Sequence, residues 1–276
     1  MRRSGLIKKA IATIIIIFTL IITLYPLLWL ISGSFKTQQE FYTNIWDFAK
    51  NPNIRNYIDA FAHSDMAKKY FNSFKVLALY LCIMLPVVCC AAYVLARMEF
   101  RGKKFIYIFL LLGMMVPAGV LSMPTYSVAI KLHLVNSHIG LVLVYAAQAV
   151  SFGVFLMRSF YISLPKSLEE AAMVDGCSRL QSLWYIIIPL TKPGIMTLVV
   201  FNGLNAWNEY FMAFLILRKK ELYTLPIGLK SFIGQYTTNY PQLFAALIMA
   251  TLPIVIIYLF AQKSFVSGIT AGAVKG

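Results

Sequence analysis

Acidic residues are scarce in this chain: 10 Asp and Glu stand against 25 Lys and Arg in 276 residues, and charged side chains of both signs amount to only 13%. So little charge cannot clothe a soluble domain of this length. Histidine and cysteine are few as well. His63, His133 and His138 are isolated, without the acidic neighbours that would complete a metal site, and Cys82, Cys89, Cys90 and Cys177 lack metal-ligand spacing. Three of those thiols sit in an apolar run, where thiols simply pack. A phosphate-binding loop is also missing, since the nearest fragment, Gly228-Leu229-Lys230-Ser231, has the wrong spacing. Any ATP must be bound by another polypeptide. The longest polar stretch, 36–72, is too short for a two-lobed ligand-binding domain. The net charge of +15 lies along the borders of apolar runs and forms no basic domain, which argues against nucleic acid and for anionic lipid headgroups as its partner.

What the chain has in abundance is apolar surface, at 60% hydrophobic residues. A bilayer core of about 30 Å takes about 20 apolar residues per helix. Runs of that length lie at 10–35, 76–96, 105–130, 132–157, 193–217 and 242–262, the fifth interrupted by Glu209. The predicted fold is therefore all-α: a polytopic membrane protein with six transmembrane helices, forming a single domain over 1–276. Pro86, Pro117, Pro124 and Pro253 fall inside the runs and predict local kinks. The first run follows Arg2, Arg3, Lys8 and Lys9, is longer than a signal-peptide core and shows no small-residue cleavage site, so it reads as an uncleaved span. That end is expected to stay cytoplasmic. The next inside loop then carries Arg97, Arg101, Lys103 and Lys104, as the positive-inside rule prefers, although 36–75 and Arg218-Lys219-Lys220 place positive charge outside. An even number of spans returns the tail, 263–276, to the cytoplasm.

One polar segment, 163–190, separates the fourth and fifth runs. Ser167 is predicted to cap a helix and Glu170, three residues on, to close a capping box. Ala171 and Ala172 expose little side chain and allow another surface to approach. Gly176 permits the backbone turn that ends one helix and opens another. Leu180, Leu183, Trp184 and Ile187 then recur at helical spacing before Pro189 and Pro193. The segment predicts a helix, a turn and a helix built for docking; the plainer alternative is a hairpin that merely links two spans.

Glu170-Ala171-Ala172, three residues, Gly176, nine more, and Ile186-Ile187-Ile188-Pro189 resemble the EAA loop of ABC-importer permeases, with Ile188 where Leu is usual. The resemblance implies that Glu169, Glu170, Ala171, Ala172, Asp175, Gly176 and Pro189 form the contact that couples a separate ATPase to the membrane helices. Further phrases are similar to the carbohydrate branch of these importers, and within it to the shorter, second membrane subunit of maltose-type transporters. They are Ser34-Phe35-Lys36, with Thr37 in place of a frequent proline, Asn56-Tyr57, Phe71-Asn72-Ser73, Trp207-Asn208-Glu209-Tyr210, and the carboxyl end from Gly268 to Gly276. The implied partners are a second homologous permease, two ATPase subunits that bind ATP and Mg, an extracytoplasmic solute-binding protein, the lipid bilayer and a carbohydrate. The implied setting is a bacterial inner or plasma membrane. By the same resemblance Gly268, Ala271, Gly272 and Lys275 of the tail reach the ATPase interface.

Glu209 is the one acid read inside a span, a position that marks function by default. Asn205, Trp207, Asn208, Glu209 and Tyr210, with Tyr145 and Gln148, are candidate pathway residues, since sugars favour aromatic faces and hydrogen-bonding groups. The competing reading is that Asn208 and Glu209 satisfy each other or a neighbouring helix. The chain is thus expected to be a permease that imports a carbohydrate by alternating access and performs no chemistry itself. Its alternatives are a polyol or glycerol phosphate ester as cargo, and a secondary transporter, which would need several buried ionisable groups and internal repeats.

Overall fold

Long apolar runs fold as helices because, away from water, a backbone can satisfy its N–H and C=O groups only on itself. A computed structural model of the chain describes residues 2–234 and 238–273. It contains α1 (Arg2–Ser34), α2 (Gln38–Thr43), α3 (Arg55–His63), α4 (Met66–Arg97), α5 (Lys103–Met115), α6 (Ala118–Lys131), α7 (His138–Ser163) and α8 (Ser167–Val174). These are followed by α9 (Arg179–Ser182), a π-helical stretch Leu183–Ile187, α10 (Ile188–Leu190), α11 (Lys192–Asn208), α12 (Phe211–Ile216), α13 (Leu225–Leu229) and α14 (Tyr240–Ala273), with short 3-10 turns at Lys220–Leu222 and Lys230–Phe232. The architecture is all-α, a polytopic membrane protein. Four helical stretches, Ile11–Ser34, Met66–Arg97, His138–Ser163 and Tyr240–Leu259, are each long and apolar enough to cross a bilayer.

Three of the expected spans differ from the helices observed. The run 105–130 is broken at Val116–Pro117, where α5 and α6 meet at a bend of 110°. Pro117 forces Val116 into extended backbone (φ −85°, ψ 122°), the conformation a residue before proline prefers. The fourth span starts at His138 rather than 132, because Leu132–Ser137 forms a tight polar turn. His133 and Asn136 adopt positive φ there, and the Ser137 Oγ accepts from Gly140 N to cap α7. Gly140 is dictated by close approach: a Cβ on it would stand 1.8 Å from the Leu134 carbonyl oxygen. The fifth run, 193–217, ends as a helix at Asn208, and Glu209 is extended (φ −70°, ψ 121°) before α12 begins. The tail also differs: α14 continues as helix through Gly268, Ala271 and Gly272 to Ala273, while Lys275 lies outside the described residues.

The helices divide into two compact units, Met1–Ala67 with Gly228–Leu252, and Lys68–Ile227 with Pro253–Gly276. In the first, aromatic side chains form the core: Phe41 stacks on Tyr240 with centroids 5.3 Å apart, and Trp29 packs on Phe244 at 5.1 Å. Asn56 ties off the end of α1, its Nδ2 donating to the Ser34 and Lys36 carbonyls at 2.7 and 2.8 Å. Lys36 is fully buried, its ammonium donating to the Asn44 carbonyl at 2.6 Å. In the second unit α7 is the central element, with Leu141, Val142, Val154 and Met157 wholly buried against Met84 and Val88 of α4 and Leu198 of α11. Asn72 braces the polar turn after α12, donating to the Glu221 and Tyr223 carbonyls at 2.9 and 3.0 Å.

Candidate functional site

The polar segment after α7 folds into the expected helix, turn and helix, with a different cap. Lys166, not Ser167, is the N-cap of α8 and makes no side-chain cap bond. The capping box forms one helix later, where Ser178 Oγ accepts from Gln181 N and Gln181 Oε1 accepts from Ser178 N. Gly176 turns the chain between them at φ +87°, where an L side chain is strained, and among the described residues beyond its chain neighbours nothing lies within 4 Å of the position a Cβ would take. Of the apolar stripe, Leu183 and Ile187 are buried, whereas Leu180 and Trp184 remain exposed. Leu183–Ile187 is π-helical, and Ile188 N donates to Leu183 O. The wider turn precedes Pro189, which has no N–H and whose ring crowds a regular helix.

The two glutamates of α8 have opposite fates. Glu170 is exposed together with Ala171, whereas Glu169 is buried with Ala172. Glu169 Oε1 lies 2.5 Å from Arg97 Nε at the end of α4, and Glu169 Oε2 accepts from Tyr93 OH at 2.9 Å. Arg97 also donates to the Leu164 carbonyl at 2.9 Å. A cavity of about 120 Å³ beside this cluster is lined by Tyr93, Arg97, Lys166, Glu169, Glu170 and Arg179. The charge contact ties α8 to α4, and the outer atoms of the pair, Glu169 Oε2 and Arg97 Nη2, are the ones satisfied by hydrogen bonds. Sequence reasoning assigned Arg97 only to a basic loop; nothing in the local pattern pairs it with a residue so far along the chain.

A second cavity, about 400 Å³, lies in the same unit and is lined by Tyr80, Tyr145, Gln148, Phe152, Phe201, Asn202, Asn205 and Glu209 among others. Four of the candidate pathway residues, Tyr145, Gln148, Asn205 and Glu209, meet here. The others do not. Trp207 is buried against Phe74 at 4.9 Å, Asn208 donates back to Leu204 O, and Tyr210 stacks on Phe214. Glu209 is not an isolated acid within a helix: it accepts from Met212 N at 2.7 Å, Ala213 N at 2.9 Å and Tyr145 OH at 2.7 Å, capping α12. Asn208 takes no part in that arrangement. Tyr80 and Asn202, joined at 3.1 Å, were missed. The signal was there for Asn202, which stands three residues before Asn205 on one face of α11.

Apolar helices able to cross a bilayer, an exposed helix-turn-helix and a polar cavity among the helices define a membrane transport subunit that works through partners. Residues 88–270 match the family described as "Binding-protein-dependent transport system inner membrane component", and the chain belongs to that family. It is an ABC-transporter permease component resident in the inner membrane, a transport component rather than an enzyme, and it works with a solute-binding protein. Among curated relatives, the probable ABC transporter permease protein YurM of Bacillus subtilis is 34% identical over 100% of this chain and 91% of that protein. The arabinooligosaccharides transport system permease protein AraQ of Bacillus subtilis is 34% identical over 92% of this chain and 91% of its own. The probable starch degradation products transport system permease protein AmyC of Thermoanaerobacterium thermosulfurigenes is 32% identical over 98% of both. A chain in the crystal structure of a bacterial ABC transporter involved in the import of the acidic polysaccharide alginate shares the fold. Its TM-score is 0.85 at 24% identity, covering 96% of this chain and 98% of that one.

Proposed function

We propose that the chain translocates a carbohydrate, of oligosaccharide size, by alternating access. In this reading it pairs with a second, related permease and with two ATPase subunits that hold ATP and Mg. It crosses the membrane six times, the third crossing broken at Val116, with both termini cytoplasmic. The exposed side of the loop, Glu170, Ala171, Asp175 and Gly176, is the docking face for an ATPase, while buried Glu169 anchors it and Pro189 closes the segment. Gly268, Ala271, Gly272 and Lys275 supply a second contact. The sugar passes the cavity lined by Tyr145, Gln148, Asn205 and Glu209, where hydroxyl partners and the aromatic faces of Phe152 and Phe201 stand together. The relatives named for oligosaccharides and starch products favour that cargo over a polyol or glycerol phosphate ester.

The observation that carries the docking role is the exposure of Glu170 and Ala171 on a helix anchored from its other side by Glu169. Its test is purification of the tagged chain in mild detergent with whatever accompanies it. Wild type is expected to bring an ATPase and a second permease, and Ala171→Trp to lose the ATPase while keeping the permease. An unchanged ATPase yield with Ala171→Trp removes the docking reading.

A further inference from the structure

Arg158 is a half-buried cation on an apolar helix. On α7 its neighbours along the same side are Phe155 and Ile162, both exposed, and a charge among such residues is costly unless it is used. The side chain is also held rigidly. Its Nε donates to the Leu95 carbonyl at 3.1 Å, and its guanidinium lies over the Tyr107 ring, 4.1 Å from the centroid. That fixes the plane of the fork at the wall of a cavity that Arg158 lines. The cavity, about 360 Å³, is completed by Glu99, Phe100, Gly102, Lys103, Lys104 and Tyr107.

Three cations thus face one carboxylate. Lys103 is already paired with Glu99 at 2.8 Å, which holds the Glu99 carboxyl below the usual range, and Lys104 is exposed. The N-cap of α5 is Gly102, which offers no side-chain acceptor to the first turn. A planar fork beside ammonium groups matches a phosphate better than any neutral ligand.

We propose that this cavity binds the phosphate of an anionic phospholipid headgroup, with Arg158 as the fork and Lys104 as the accessory charge. A lipid is favoured over soluble phosphate by what flanks the cavity. Phe105 and Phe109 of α5, stacked at 6.5 Å and 74% and 65% exposed, and Phe155 and Ile162 of α7 are exposed on the same two helices that carry Tyr107 and Arg158. Those are rails for acyl chains, and a soluble anion would use none of them. Basic pockets at the ends of membrane helices are a recurring means of headgroup recognition. The cavity shares none of its lining residues with the docking face, so the proposal stands whether or not that reading holds.

The test is native mass spectrometry of the full chain with its co-purifying subunits, after exchange into mixtures of phosphatidylglycerol and phosphatidylcholine. Wild type is expected to retain phosphatidylglycerol preferentially, with about tenfold weaker retention in Arg158→Gln and a smaller loss in Lys104→Gln, which is exposed and leaves folding alone. Arg158→Lys, which keeps the charge but not the fork, is expected to recover only part. Equal retention of the two lipids, or a preference unchanged in both glutamine variants, overturns the proposal. Displacement of the lipid by inorganic phosphate at moderate concentration overturns it in favour of a soluble anion. Retention by the isolated chain but not by the assembly overturns it in favour of an acidic surface of a neighbouring subunit.

Discussion

Arg97 Nε and Glu169 Oε1 stand 2.5 Å apart with side chains 6% and 8% exposed, so the last turn of α4 and the first turn of α8 are joined by a desolvated ion pair. Truncating one member leaves the other charged and stranded. Arg97→Leu is expected to destabilise the second unit by about 3–5 kcal/mol, whereas Arg97→Leu with Glu169→Leu should recover most of that loss. Thermal unfolding of the purified variants measures the cycle. If the pair also transmits motion, the double variant regains stability yet keeps a reduced ratio of transport to ATP hydrolysed.

Tyr145 supplies one of three donors to Glu209, the other two being backbone amides of α12. Tyr145→Phe is therefore expected to cost about 1–2 kcal/mol, and Glu209→Ala, which strands all three donors, distinctly more. Unfolding midpoints in one detergent decide the order. Equal losses would mean that the tyrosine does most of the holding.

Gly140 and Gly119 make a matched pair for testing close approach. A Cβ at Gly140 meets the Leu134 carbonyl, while at Gly119 nothing lies within 4 Å. Gly140→Ala is expected to cost more than about 1–3 kcal/mol, since backbone must move, and Gly119→Ala to be neutral or slightly stabilising. Membrane yield and thermal midpoint of the two proteins report the difference.

Asn56→Ala removes both amide bonds to the carbonyls that close α1 and is expected to destabilise the first unit by roughly 1–3 kcal/mol. Limited proteolysis within 44–54 should accelerate. Asn53→Ala, which loses only a local bond to Arg55 N, is the control.

Much of the helix content was legible because bilayer-length apolar runs are encoded by composition alone. What composition does not encode is direction. The run 105–130 contains no charge, so nothing in its hydropathy marks the bend at Val116; only the proline did, and it looked like the prolines that α4 and α14 absorb at Pro86 and Pro253. At Ser167 the capping pattern was present but the helix began one residue earlier in the chain's geometry, and the same chemistry was spent on Ser178 and Gln181. Three residues of the phrases that carried the family resemblance prove to be fastenings. Asn56, Asn72 and Ser73 each bond a backbone group of a distant turn or helix end. The Tyr93–Glu169 contact spans 76 positions and lies beyond any local reading.

The stretch Arg179–Leu190 meets Lys192–Asn208 at a bend of 79°, with Thr191 at the corner donating its Oγ to the Ile187 carbonyl at 2.8 Å. Such a corner is a bell crank. At about 1.5 Å per residue the arm from Arg179 is roughly 18 Å long, so displacing its far end by about 3 Å swings it by roughly 10°. If the corner holds its angle, α11 must tilt by as much, carrying Asn202 and Asn205 across the cavity they line. Small strokes at the Gly176 end would thus be returned as rotation where the polar side chains gather.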